Sequence, residues 1–149
     1  MSFEIYGITQ NPYTKDYIVA LQNKYKYYCM GCNKMYTNIY LKWCKPCQIK
    51  DIKENFINWT SGNGKIDNFI LEKQLKINKY DDIVFEWIPY NQFLGIEEIY
   101  KDDFFTVYSA MWKNGPLHWN KKYIRDPDEK VTLKCSHNLQ NIDKFLNEV

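Results

Sequence analysis

The chain has 149 residues, 45% hydrophobic and 17% aromatic, which allows one medium domain or two small ones and excludes a disordered polymer. Its 20 basic and 18 acidic residues leave a formal charge of +2, too little to make the surface as a whole a polyanion binder. No apolar run approaches the roughly 20 residues of a membrane span. The opening MSFEIYGITQ lacks the basic region and apolar core of a secretory signal, so an intracellular, cytoplasmic protein without a membrane partner is expected.

Residues 3–22 carry Gly7, an Asn11-Pro12 turn and the branched run Tyr17-Ile18-Val19-Ala20-Leu21, a pattern that predicts strand, turn, strand within a segment 1–23.

Residues 24–48 form a cysteine module. Cys29 and Cys32, then Cys44 and Cys47, make two C-x-x-C pairs separated by 11 residues, while Cys135 stands alone. In a reducing compartment two close pairs favour a metal over disulfides, because zinc takes four soft donors in a tetrahedron and each C-x-x-C bend offers two. A set of reduced or redox-active thiols is the other reading. With four protein ligands and no open position, such an ion is structural. Gly31 and Pro46 are read as the residues that let the two bends turn. Tyr27, Tyr28, Tyr36, Tyr40 and Trp43 are expected to cover the metal knuckles. Lys24, Lys26, Lys34, Lys42 and Lys45 read as a solvated face, so a nucleic-acid partner is not expected.

Residues 49–82 predict a helical pair. Ile49, Ile52, Phe56 and Trp59 or Thr60 recur at helical spacing. Thr60-Ser61-Gly62-Asn63-Gly64 breaks the pattern, and Ile66, Phe69, Ile70 and Ile77 resume it.

Residues 83–149 change character. Phe93–Tyr100, Phe104–Trp112 and Lys130–Cys135 read as three strands, with Gly115-Pro116 and Asp126-Pro127-Asp128 marking a long connection between the last two. Asn141 caps a final helix through Glu148, with Asp143 in its first turn and Ile142, Phe145, Leu146 and Val149 on its apolar face. The fold class is therefore α+β: an antiparallel sheet with one packed helix, preceded by a small zinc-ribbon-like module and two helices.

The run Ile99-Tyr-Lys-Asp-Asp-Phe-Phe-Thr-Val107, then Val131-Thr-Leu-Lys134, then Phe145-Leu-Asn-Glu148, resembles the N-terminal lobe of a protein kinase in the order phosphate loop, lysine strand, helix. Most of the chain is similar to a large fungal family of serine/threonine- or tyrosine-kinase-like proteins. In that family paired Cys-x-x-Cys motifs, a Trp-Thr-Ser-Gly-Asn segment and a Glu-Trp-Ile-Pro-Tyr-Asn-Gln-Phe segment precede the kinase domain, and here they stand at 29–47, 59–63 and 86–93. Residues 5–21 resemble strands four and five of the same lobe, out of their usual order. They are either a remnant of an earlier kinase domain or strands that fold back to complete a five-stranded sheet.

The resemblance implies ATP-dependent phosphorylation of protein side chains as the family activity. It implies roles in ATP binding for Ile99 and Val107, over the adenine, for Lys134, on the α- and β-phosphates, and for Glu148, 14 residues on, which orients the lysine. The departures imply loss. Tyr100, Asp102 and Phe105 stand where the loop needs glycines, and Thr132 stands where a small alanine would lie over the adenine. Asp102 and Asp103 put carboxylates where a triphosphate would lie, a like-charge contact worth up to roughly 4 kcal/mol at about 4 Å and an effective dielectric near 20. The 149 residues contain neither a His-Arg-Asp loop nor an Asp-Phe-Gly metal site, and His118 and His137 are read as lone surface histidines. The expectation is thus a truncated, degenerate kinase-like protein that holds structural zinc, binds ATP and magnesium weakly or not at all, and performs no independent catalysis. The alternative is a zinc-stabilised module that docks a protein partner.

Overall fold

The computed structural model describes residues 4–23, 25–56 and 60–149, and the backbone alone of Tyr25. Lys24, of the lysine set, and Trp59, of the first helical stripe and of the Trp-Thr-Ser-Gly-Asn motif, lie outside the described residues, as does residue 3 of the first expected strand. The chain divides into two compact units, Met1–Cys44 and Lys45–Val149.

In the first unit β1 (Ile5–Gln10) and β2 (Tyr17–Leu21) pair antiparallel, with Gln10 opposite Tyr17 and a register shift between Ile5 and Gly7. Asn11 builds the turn: its side-chain oxygen accepts from the amides of Tyr13 (2.9 Å) and Thr14 (3.3 Å). The two strands form a sheet of their own and do not extend the later one. Their side chains are largely exposed, Ile8 at 79% and Tyr17 at 82%. The unit buries its apolar weight in the cysteine module, where Trp43 is 0% exposed. Tyr40, expected to cover the knuckles, is instead almost fully exposed. The Trp43 indole N–H has no acceptor among the described residues.

The second unit opens with α1 (Lys45–Asn55), which starts inside the second C-x-x-C pair, earlier than the apolar stripe suggests. Pro46 explains the early start: a proline in the first turn lacks only an N–H that has no helical acceptor there. Ile49 and Ile52 form the buried stripe of α1. The breaker at 60–64 is followed by α2 (Gly64–Leu75), capped by Asn63, whose side chain accepts from the amides of Lys65 (2.9 Å) and Ile66 (3.3 Å). Asp67 locks the same loop by accepting from the Ser61 hydroxyl (2.6 Å), the Ser61 amide (2.9 Å) and the Thr60 hydroxyl. On α2, Ile70 and Gln74 are buried, and Gln74 Nε2 donates to the Phe85 carbonyl at 2.9 Å, satisfying a polar group in the core.

The three expected strands are present as β3 (Phe93–Lys101), β4 (Phe105–Trp112) and β7 (Glu129–Ser136), in the antiparallel order β3-β4-β7. The connection read as irregular contains a further hairpin, β5 (Leu117–Trp119) with β6 (Tyr123–Arg125), whose Trp119 and Tyr123 rings meet edge-on at 5.3 Å. Strand β4 is central and alternates: Thr106, Ala110 and Trp112 are buried, while Phe105, Val107 and Ser109 point the other way. Gly95 takes φ +59 at a register shift between Leu94 and Glu97, which bends β3. The last helix, α3 (Ile142–Glu148), begins at Asn141, whose side chain accepts from the Lys144 amide at 3.0 Å. Lys65 of α2 pairs with Asp143 of α3 at 2.9 Å. No residue of α3 is fully buried. Among the described residues the fold is thus α+β, with small antiparallel sheets, three helices and a cysteine cluster. No helix of the described residues is long and apolar enough to cross a membrane.

Candidate functional site

The two C-x-x-C pairs come together by two different local routes. After Cys29 the chain makes a tight turn closed by Asn33 N–H to Cys29 O and Cys29 N–H to Lys34 O, both 2.8 Å. The left-handed position of this turn is Asn33 (φ 56), one past Cys32, and not Gly31. A second loop, held by the paired backbones of Asn38 and Trp43 (3.0 Å in each direction), carries Lys42 at φ 52 and delivers Cys44. The Asn38 side chain caps that loop by accepting from the amides of Tyr40 and Leu41. Cys47 lies in the first turn of α1.

The Sγ atoms of Cys29, Cys32, Cys44 and Cys47 all lie within 4.8 Å of one another. Four sulfurs bound at about 2.3 Å around one tetrahedral ion stand roughly 3.8 Å apart. The Cys32 and Cys44 sulfurs, 3.5 Å apart, are far beyond the roughly 2.05 Å of a disulfide and close to that tetrahedral edge. Cys29 and Cys44 are buried, and Cys32 and Cys47 half-buried. Such a set could hold a metal ion. Four thiolates this close repel one another, and a divalent cation at their centre offsets that repulsion.

The positions assigned by the kinase resemblance fall on the three-stranded sheet and on α3. Val107 and Lys134 are directly paired across β4 and β7, and Ile99 sits at a register shift of β3, largely exposed. Lys134 does not reach Glu148: no ion pair joins them among the described residues. Its ammonium lies 4.5 Å from the centre of the Phe105 ring, on the sheet face that also carries Val107. Alternation along β7 puts Leu133 and Cys135 on the other face, and there Phe145 of α3 meets them across a cavity. The helix and the ammonium thus lie on opposite faces of the sheet, which is why the expected pair is not made.

The turn between β3 and β4 is closed by its own carboxylate. Asp102 Oδ1 accepts from the amides of Phe104 and Phe105 at 2.8 Å each, and Asp102 Oδ2 accepts from the Tyr100 hydroxyl at 3.1 Å. The Phe105 and Phe104 amides hold the Asp102 carboxyl below the usual carboxylate range, so it stays charged.

His137, expected to stand alone, does not. Its Nε2 is 2.7 Å from Thr106 Oγ1, its Nδ1 is 3.3 Å from the Asp103 carbonyl, and its own amide donates to the Phe104 carbonyl at 2.8 Å. Thr106 is only 3% exposed, so this contact ties β4, the β3–β4 turn and the end of β7 together rather than offering a nucleophile. The partners are 31 residues apart, and no local pattern announces them. His118 is exposed on β5, as expected.

Sequence reasoning also missed a half-buried ion pair. Arg125 Nη1 donates to Glu86 Oε1 (2.9 Å) and Oε2 (3.0 Å) and to the Gly115 carbonyl (3.0 Å), with the guanidinium near the rings of Phe56 and Trp112. Burial pushes the Glu86 carboxyl up, against the pull of Arg125. Compared with protein-family models, curated proteins and solved structures, the chain matches none.

Proposed function

We propose that this chain is a zinc-stabilised, kinase-like module that neither binds nucleotide strongly nor transfers phosphate by itself. Supporting the kinase-like part of the reading are the antiparallel order β3-β4-β7 followed by α3 and the ordered motifs along the chain. The observation that carries the functional part is Asp102. A phosphate-binding loop works by presenting unsatisfied backbone N–H groups to an anion. Here the amides of Phe104 and Phe105 already donate to a carboxylate that stays ionised. A triphosphate would have to displace that carboxylate and then lie beside it. Lys134, turned onto Phe105, lacks the orienting carboxyl that productive phosphate binding uses. Zinc is the ion that four thiolates in a tetrahedral cage suit best, and it closes the coordination shell without leaving a catalytic position.

Thermal unfolding with increasing Mg-ATP tests the reading. A ligand that binds only the folded state raises the midpoint as its concentration passes Kd. The midpoint is expected to stay unchanged through millimolar Mg-ATP, and a saturable rise would overturn the reading.

A second reading, a docking module for a protein partner, is favoured by one observation: the β1–β2 hairpin exposes Ile5, Tyr6, Ile8, Tyr17 and Val19, more apolar surface than a solvated hairpin ordinarily carries.

A further inference from the structure

We propose that the cavity between the three-stranded sheet and α3 is a binding site for an uncharged, planar aromatic small molecule. The cavity measures about 500 Å³, within the range of sites that enclose a small organic ligand. Phe93, Ile96, Leu133 and Leu139 give it aliphatic and aromatic walls. Tyr90, Tyr108 and Phe145 add three more rings, and ring faces and edges favour a flat aromatic guest.

The charge pattern selects against ions. Lys134 is the one charged residue among the described residues of the lining, and its ammonium lies over Phe105, which is not part of the wall. An ionic ligand would lose its hydration here and find no counter-charge. The hydroxyls of Tyr90 and Tyr108 make no hydrogen bond to the described residues, so they remain to orient a carbonyl or hydroxyl on the guest. The cavity lies on the opposite sheet face from the Lys134 ammonium. The site therefore does not use the Lys134 ammonium, although Lys134 contributes to its wall, and it stands or falls independently of nucleotide binding. Cys135, exposed at the cavity wall, provides a reporter inside the site.

The test uses the zinc-loaded protein and Prodan, an uncharged planar naphthalene fluorophore, with anilinonaphthalene sulfonate as the charged comparison. Prodan is expected to bind saturably with blue-shifted emission and to slow alkylation of Cys135, while the sulfonate does neither. Leu133→Trp, which fills the cavity, is expected to weaken Prodan at least about tenfold. Leu139→Trp, also in the lining, serves the same purpose if the first variant loses its circular dichroism. No saturable Prodan binding would overturn the proposal. So would unprotected Cys135 at Prodan saturation, which would place the dye elsewhere, for example on the β1–β2 hairpin. Equal binding by a folded filling variant, or tight binding of the sulfonate that protects Cys135, would also contradict it.

Discussion

Asp102 and Glu86 are both carboxylates, and their surroundings push them in opposite directions. Asp102 is half-buried and accepts two amides, which lowers it below its ordinary 3.8. A depressed carboxyl contributes stability above its unfolded value and loses it as pH falls through the lower folded value. Asp67, lowered first by the Ser61 hydroxyl, and Asp82, lowered first by the Asn78 amide, act in the same sense. The protein should therefore lose stability below about pH 4. Asp102→Asn should flatten that acid limb in a series of circular-dichroism melts, and an unchanged limb would show that the turn does not depend on the charge. Glu86 is raised by burial, so its contribution is full below its unfolded value and falls away as pH rises through the folded one. Only the Arg125 contact, with the Glu86 side chain 6% exposed, makes its charge tolerable at neutral pH. Arg125→Leu leaves that charge buried and unpaired, which should cost about 3–5 kcal/mol at pH 7 and less on acidification. A loss independent of pH would mean that the arginine acts by packing alone. Glu86 was visible in the sequence only as part of a family motif. Its partner is 39 residues away, beyond the reach of any spacing rule.

The secondary-structure elements were legible where one face carries the apolar residues. Strands β3, β4 and β7 and helices α2 and α3 follow from alternation, helical spacing and an asparagine cap. The β5–β6 hairpin was not, because its strands are three residues each and its neighbourhood is rich in Gly, Pro and Asp, which reads as loop. Gly115 shows why a glycine sits there. It has φ +67, and a Cβ on it would lie 1.6 Å from the Asp126 carbonyl oxygen, in the chain just past β6. Gly62 has φ +81 and open space around it. Gly62→Ala should therefore cost only the backbone term, about 1–2 kcal/mol. Gly115→Ala should cost clearly more, or prevent β5 and β6 from meeting. Urea denaturation of the two variants checks this, and equal losses would remove the close approach as the reason for Gly115.

For the molecule as a whole, the cysteine pattern carried the most information, because metal ligation restricts both residue type and spacing to a degree that hydrophobic packing does not. The four sulfurs do converge, although by an Asn33 turn and a helix start rather than by the Gly31 and Pro46 bends that composition suggests. The matching of Lys134 to Glu148 along the chain did not carry over to a contact in space. Which sheet face a residue occupies depends on register and alternation, and a separation of 14 residues is silent on both. The β1–β2 hairpin raises the same issue. Its pairing was readable, but its side chains are exposed where alternation would ordinarily put half of them into a core. Within the first unit the buried apolar residues are Cys29, Cys44 and Trp43, and little else among its described residues is apolar and enclosed.

Metal analysis of the purified chain, joined to X-ray absorption at the zinc edge, addresses the sulfur cage directly. One zinc per chain in a shell of four sulfurs at about 2.3 Å, with structure lost on chelation, is the predicted result. A substoichiometric metal content, a shell containing oxygen or nitrogen, or a fold indifferent to chelation would contradict it.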